Sequence, residues 1–283
     1  METIAVEGAQ LSALALGSAD APPVAMLHGL VSGNMASWYS PIATPLSGTQ
    51  RVLLYDQRGH GGSTVPRCGF DLDTQARDLQ AVLAHFGCGA GPVDLVGHSM
   101  GALIALRFAL RQPQRVRRLV LVDAPMPACE FVAPSLRDFD RHEALAAFVA
   151  RDPAVAGGAK GRRRERLQQR LTALFLESTL LRDLAAMAAE PDALLAGFDR
   201  PVLLLYGRHS PCLAAAHHLQ GLLPQAELQL LEAGHYLPEE APQAVYRHLQ
   251  RFLAPPPPLL SDQPVPAAEF GGLFPIQPIA TAA

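Results

Sequence analysis

The 283-residue chain is 49% hydrophobic with a formal net charge of -3, which suits one large α/β domain, with or without an insertion, and gives no reason to expect a nucleic-acid partner. Cys68, Cys88, Cys129 and Cys212 are widely spaced and form no C-x-x-C pair. They read as reduced, packed thiols, not as a disulfide frame or a zinc site.

The start, Met1-Glu2-Thr3-Ile4, lacks a basic stretch leading into a long apolar core. No apolar run reaches the length of a membrane span, so the expectation is a cytoplasmic enzyme without a secretory signal. Residues 2–16 alternate around Gly8 (Ile4, Val6, Leu11, Leu14, Leu16) and predict an antiparallel hairpin at a sheet edge. Val24–Leu27 and Val52–Tyr55 read as buried strands, ending in His28-Gly29-Leu30 and in the loop Asp56–Ser63. A helix is expected from about Asp73 to Gly87, with Leu72, Ala76, Leu79, Leu83 and Phe86 on one face.

The strand Val93–Val96 then runs into Gly97-His98-Ser99-Met100-Gly101 and an apolar helix-forming run, Ala102–Leu110. A strand, a tight turn with Gly on both sides of a Ser, and a helix together are the context in which G-x-S-x-G marks a nucleophile elbow. The helix start beneath Ser99 directs N–H groups and a positive dipole end at a developing anion. Arg118–Asp123 is the next strand. The stretch 124–199 is Ala-, Leu- and Arg-rich with helical segments only, and reads as a helical cap, or lid, between core parts 1–123 and 200–253. Strand and helix alternation resumes with Val202–Gly207, a helix around Cys212–Leu223, a strand Glu227–Glu232 and a last helix over about Glu240–Leu253. Near-continuous apolar strands between helices predict a mostly parallel, eight-stranded α/β sheet covered on both faces. The Pro-rich tail, 254–283, reads as a disordered extension or as a segment packed on the body or on a partner.

The His28-Gly29 loop, the Asp56–Ser63 loop, the Gly97–Gly101 elbow and Gly234-His235-Tyr236 fall in one order along residues 1–253. In these stretches the chain resembles an α/β-hydrolase with a helical cap. Acyl transfer by Ser99 needs a base, a group that orients the base, and donors for the oxyanion. His235, just after the last strand, is the candidate base, and the resemblance places the family's His there. Met100 and Leu30 are the expected backbone donors of the oxyanion hole, with their side chains lining the pocket. Gly29 allows close approach there, and His28 is expected to brace that loop. His98, beside Ser99, is a poor base because the turn points it elsewhere. Trp38 lines the pocket or packs behind it, and Asp56, Arg58 and Ser63 brace a turn.

The resemblance implies an Asp shortly after Gly207, and the chain has Ser210 there. Some members of the family, certain haloalkane dehalogenases among them, carry the acid at the strand end occupied here by Asp123. Asp123 is therefore the expected acid, with Ser210 supporting or vestigial. The resemblance also disfavours dehalogenase and epoxide hydrolase chemistry, which use Asp at the position of Ser99. The expected function is hydrolysis of a carboxylic ester or thioester through an acyl-enzyme. The alternatives are a carbon–carbon hydrolase or a non-hydrolytic lyase, cyclase or acyl-transfer member, and a weakly active binding module. No cofactor and no metal are implied. Arg162-Arg163-Arg164-Glu165-Arg166 and Arg170 form either a docking patch for an acidic acyl carrier protein or phosphate-bearing substrate, or a solvated helix face. Phe131, Leu136, Phe139, Phe148, Leu174, Phe175 and Leu176 form either an acyl pocket or the cap's own core.

Overall fold

A computed structural model describes residues 1–31, 33–126, 136–151 and 162–254, with the backbone alone at 137, 138, 149, 151 and 162–164. Eight strands form one sheet in the order β1-β2-β4-β3-β5-β6-β7-β8. β1 (Glu2–Val6) and β2 (Ala9–Leu16) make the expected hairpin, and β2 runs antiparallel to β4. β3 (Pro23–Leu27), β4 (Arg51–Tyr55), β5 (Val93–His98), β6 (Val116–Val122), β7 (Val202–Gly207) and β8 (Ala226–Leu231) are parallel.

Alternate strand residues feed two cores, as period-two geometry requires. Ala25, Leu53 and Leu95 face one, with α1 (Leu72–His85) and α2 (Met100–Arg111). Val24, Val52 and Val96 face the other. That second face is covered by a helical stretch, Ala36–Trp38, a π-turn Tyr39–Ala43 and Thr44–Leu46, and by the last helix. α1 starts where the Asp71 carboxylate accepts from Thr74 N–H at 2.8 Å.

The connection from β6 to β7 carries the inserted helical cap. Its described helices are α3 (His142–Arg151), α4 (Arg162–Leu176), α5 (Leu180–Ala185) and α6 (Asp192–Ala196). The Phe139 ring packs at a tilt against Phe148 and edge to face against Phe175, with centroids 4.7 and 5.1 Å apart, and Leu174 and Phe175 are buried. These residues are thus the cap's own core, continuous with that of the sheet. Phe131, the side chains of Arg162, Arg163 and Arg164, and the tail beyond Ala254 lie outside the described residues. After β7 come α7 (Leu213–Leu222), a turn Leu237–Glu240 and α8 (Pro242–Phe252). The last helix therefore starts later than its sequence pattern predicts, at a Pro suited to a first helical position.

Two buried carboxylates tie these layers together through ion pairs. Arg58 makes a bidentate pair with Asp78 of α1, both bonds at 2.7 Å. Asp94 of β5 accepts from Arg117 and Arg118, and Arg118 also donates to the carbonyls of Phe252 and Leu253, holding the chain after α8 to the sheet.

The loops after β3 and β4 lock into each other. Neutral His28 donates from Nδ1 to Gly29 O at 2.7 Å and accepts at Nε2 from Gln57 N–H at 3.0 Å. His60 donates from Nδ1 to Arg58 O and accepts at Nε2 from Val31 N–H at 3.2 Å. Asp56 accepts from the N–H groups of Met35 and Gly62, and its carbonyl accepts from the Ser63 hydroxyl. Asp56 and Ser63 thus brace the turn as expected, whereas Arg58 binds a helix.

Burial pushes His28 down to about 4 and His60 down to about 3. Their folded pKa values lie below the usual 6.5, so the unfolded chain binds more protons. Stability should be full above about pH 6.5 and fall as the pH drops towards 4. The melting temperature should already decline between pH 7 and 5, and a flat profile there would refute this. Replacing Arg58 by Met should cost about 3–5 kcal/mol in denaturant unfolding, because Asp78 is left buried and unpaired. Adding Asp78→Leu should recover most of that loss.

Candidate active site

At the C-terminal edge of the sheet, β5 passes through Ser99 into α2. Ser99 has φ +52° and ψ -118°, a conformation that L-residues adopt only under constraint. Glycine at 101 is obligatory: a Cβ there would lie 2.5 Å from the carbonyl oxygens of Leu27 and His28. The Ser99 hydroxyl lies 2.9 Å from His235 Nε2. His235 Nδ1 lies 2.6 Å from Asp123 Oδ2. With a carboxylate at Nδ1, that nitrogen carries the proton and donates, which leaves the Nε2 lone pair facing the Ser99 O–H.

Asp123, fully buried just past β6, has φ +48°. Its Oδ1 accepts from Gly207 N–H at 3.0 Å, and its Oδ2 accepts from the Ser210 hydroxyl as well as from His235. Ser210 therefore serves Asp123, not the imidazole directly.

The loop that carries His235 is held on both sides. His98 donates from Nε2 to His235 O at 2.8 Å. Burial pushes His98 down to about 4, so it is a neutral donor. The Glu240 carboxylate accepts from the N–H groups of Gly234 and Tyr236, one on each side of His235. Sequence reasoning missed this role of Glu240, which reaches back to backbone N–H groups six and four residues earlier in the chain.

Gly29 sits against the site, with its Cβ position 3.3 Å from Ser99 Cβ. Among the described residues, the N–H groups of Leu30 and Met100 donate to no protein group. The Leu30 side chain lines a cavity of about 290 Å³ in front of Ser99. The Met100 side chain, contrary to expectation, is buried in the core beneath α2, because the first helical turn points it into the sheet. Trp38 packs in the core of the opposite face, not in the cavity. Val31, Pro125, Leu136 and Pro211 make the remaining wall largely apolar.

Arg170 departs from the charged-patch reading. It donates to the carbonyls of Gly59 and Ser63 at 3.5 and 3.3 Å, joining α4 to the loop after β4. Cys212 is the packed thiol that the sequence predicts. It is buried, and its Sγ lies 3.8 Å from His235 Nδ1. Distances of 23 and 89 residues along the chain separate Cys212 from the groups it meets, which hid the cluster from sequence reading.

Residues 22–188 match the family model described as alpha/beta hydrolase fold. The sn-1-specific diacylglycerol lipase ABHD11 of Mus musculus is 30% identical over 269 residues, covering 84% of this chain and 83% of that protein. A 2-(acetamidomethylene)succinate hydrolase of Mesorhizobium japonicum is 26% identical over 248 residues, covering 82% and 88%. The solved structure of a hydrolase from Pseudomonas aeruginosa PA01 superposes with a TM-score of 0.70 at 29% identity, covering 90% of this chain and 98% of that one. None of the described helices is long and apolar enough to cross a membrane. The chain is a hydrolase and belongs to the α/β-hydrolase fold family.

Proposed function

We propose that the chain hydrolyses a carboxylic ester or thioester of a small, apolar acyl group through a Ser99 acyl-enzyme. The observation that carries this reading is the unbroken relay Ser99–His235–Asp123, with contacts of 2.9 and 2.6 Å, opening on the apolar cavity. Ser99 Oγ attacks the acyl carbon while His235 Nε2 takes its proton. The N–H groups of Leu30 and Met100 bind the oxyanion. The alcohol or thiol leaves with the proton from His235, and water repeats the sequence on the acyl-enzyme. Asp123 fixes the His235 tautomer and offsets the imidazolium charge. Ser210, donating to the same carboxylate oxygen, holds Asp123 in place.

Without Asp at position 210, the sequence alone gives weight to carbon–carbon cleavage or a non-hydrolytic reaction. With Asp123 within 2.6 Å of His235, that argument no longer favours either. The segment 124–199 acts in this reading as a lid, because Leu136 reaches the cavity from it. Of the arginines in the run 162–170 with described side chains, Arg170 is engaged with the core and Arg166 is exposed. A free small ester, not one borne on an acyl carrier protein, is therefore the proposed substrate form.

Hydrolysis of short-chain p-nitrophenyl esters and labelling by a fluorophosphonate should both be lost in Ser99→Ala, with the rate falling by about six orders of magnitude or to background. Binding without turnover and no labelling of the wild type would instead mark a binding module. Asp123→Asn should lower kcat about 10⁴-fold with the fold intact by circular dichroism, because the amide stabilises the wrong imidazole tautomer. Ser210→Asp should also slow the enzyme, since it sets a second carboxylate against the first. A faster Ser210→Asp, together with a nearly silent Asp123→Asn, would overturn the assignment of the acid.

A further inference from the structure

Behind the Ser99–His235 pair, Asp123, His235 and Cys212 turn three different ligand atoms towards one point. Nδ1 of His235 lies 2.6 Å from Asp123 Oδ2 and 3.8 Å from Cys212 Sγ, and all three atoms fall within 4.8 Å of one another. The turn fixes the thiol there, because Cys212 N–H donates to the same Ser210 oxygen that binds Asp123. Cys212 and His235 both border the cavity that reaches Ser99, which gives a small ion a route in.

Carboxylate, imidazole and thiolate together are the ligand set of a borderline-soft divalent cation such as Zn²⁺, and Cd²⁺ shares the preference for sulfur. Tetrahedral bonds of about 2.0–2.3 Å place neighbouring ligand atoms roughly 3.3–3.6 Å apart. The thiol and imidazole are already near that spacing. The imidazole and carboxylate need to part by less than about 1 Å, within the reach of a small ring rotation. We propose that Asp123, Cys212 and His235 form an inhibitory site for a thiophilic divalent cation, which takes the place of the proton on His235 Nδ1 and switches the relay off.

The charges and protons balance. Before binding, the site holds a carboxylate, a neutral imidazole protonated at Nδ1, and a thiol. After binding, it holds a carboxylate, a thiolate, a dication, and a neutral imidazole protonated at Nε2. The three charged groups sum to zero, which favours them in a buried place. One proton, that of the thiol, is released to solvent, and the Nδ1 proton is replaced by one on Nε2. The cation has to displace the thiol proton, so it binds more tightly as the pH rises. An imidazole with its proton on Nε2 has no lone pair for the Ser99 hydroxyl, so a bound cation removes the base without touching the nucleophile.

The inhibitory half of this proposal rests on the proposed role of His235; cation binding does not. The full chain is titrated with Cd²⁺ and followed by thiolate-to-cadmium absorption, in wild type, Cys212→Ala and Cys68→Ala, with Cys212→Ser in reserve should the alanine variant not fold. In parallel, Zn²⁺ and Mg²⁺ are tested on p-nitrophenyl acetate hydrolysis, each variant against its own metal-free rate. The expected result is one Cd²⁺ bound with the thiolate band in wild type and Cys68→Ala, and no such band without Cys212. Zn²⁺ but not Mg²⁺ should inhibit, more strongly at pH 8 than at pH 6.5, with reversal by a chelator. The half-inhibitory Zn²⁺ concentration should rise at least about tenfold without Cys212, a change of about 1.4 kcal/mol. A band that survives the loss of Cys212, or Zn²⁺ inhibition equal with and without it, overturns the proposal. A Cys212-dependent band in a protein that hydrolyses no ester upholds the cation site and refutes the esterase reading alone.

Discussion

The Asp123 carboxylate sets the condition that the rest of the site meets. It is fully buried, and a buried anion survives only where donors surround it. Gly207 supplies one from the end of β7, Ser210 one from the following turn, and His235 one from the loop after β8. The parallel register Val122↔Leu205 and Gly207↔Leu231 brings these three strand ends side by side. The left-handed backbone at Asp123 costs on the order of 1–3 kcal/mol. It turns the side chain towards β7 as the main chain leaves for the cap, and the three donors offset the strain.

The periodic features of the chain were legible. Apolar strands, the α1 face and the hairpin around Gly8 follow from spacing alone, and from them the mostly parallel eight-stranded sheet. Ser99 and His235 were legible because a turn has local chemistry: glycines flank the one and precede the other. What stayed hidden depends on contacts between distant residues. The helical stretch from Ala36 to Leu46 contains Pro41 and Pro45 and a π-turn, so its period is broken and the sequence pattern is silent. Arg170 shares a helix with a run of arginines, yet its partners are carbonyls 107 and 111 residues away. Met100 follows the elbow directly and so invited a place in the pocket wall. A backbone N–H at the start of a helix can face the site while its side chain enters the core.

The acid position shows what the chemistry requires. An imidazole needs a carboxylate at Nδ1; it does not need that carboxylate at one place along the chain. Neighbouring parallel strand ends lie about 4.8 Å apart, so the side chains that leave β6 and β7 can reach the same ring. Two carboxylates there would repel, each raising the other's pKa. With Asp at 123, a hydroxyl at 210 is the better partner: it donates to the carboxylate and adds no charge. In the proposed reading, Ser210 is the complement of Asp123.

The same economy leaves a weakness. With Asp123 as the proposed acid after β6, the turn after β7 is free to carry another side chain, and this chain puts a thiol there, 3.8 Å from the ring nitrogen that keeps its proton in that reading. As a protonated thiol, Cys212 adds no charge, and Asp123 at 2.6 Å remains the closer partner of Nδ1. His98 and Glu240 hold the backbone around His235 but place no restraint on which ring nitrogen is protonated. Among the described residues, Asp123 is the one charged group at hydrogen-bond distance from either ring nitrogen. Any ligand that prefers the thiol and the carboxylate together acts on the relay at its least protected point.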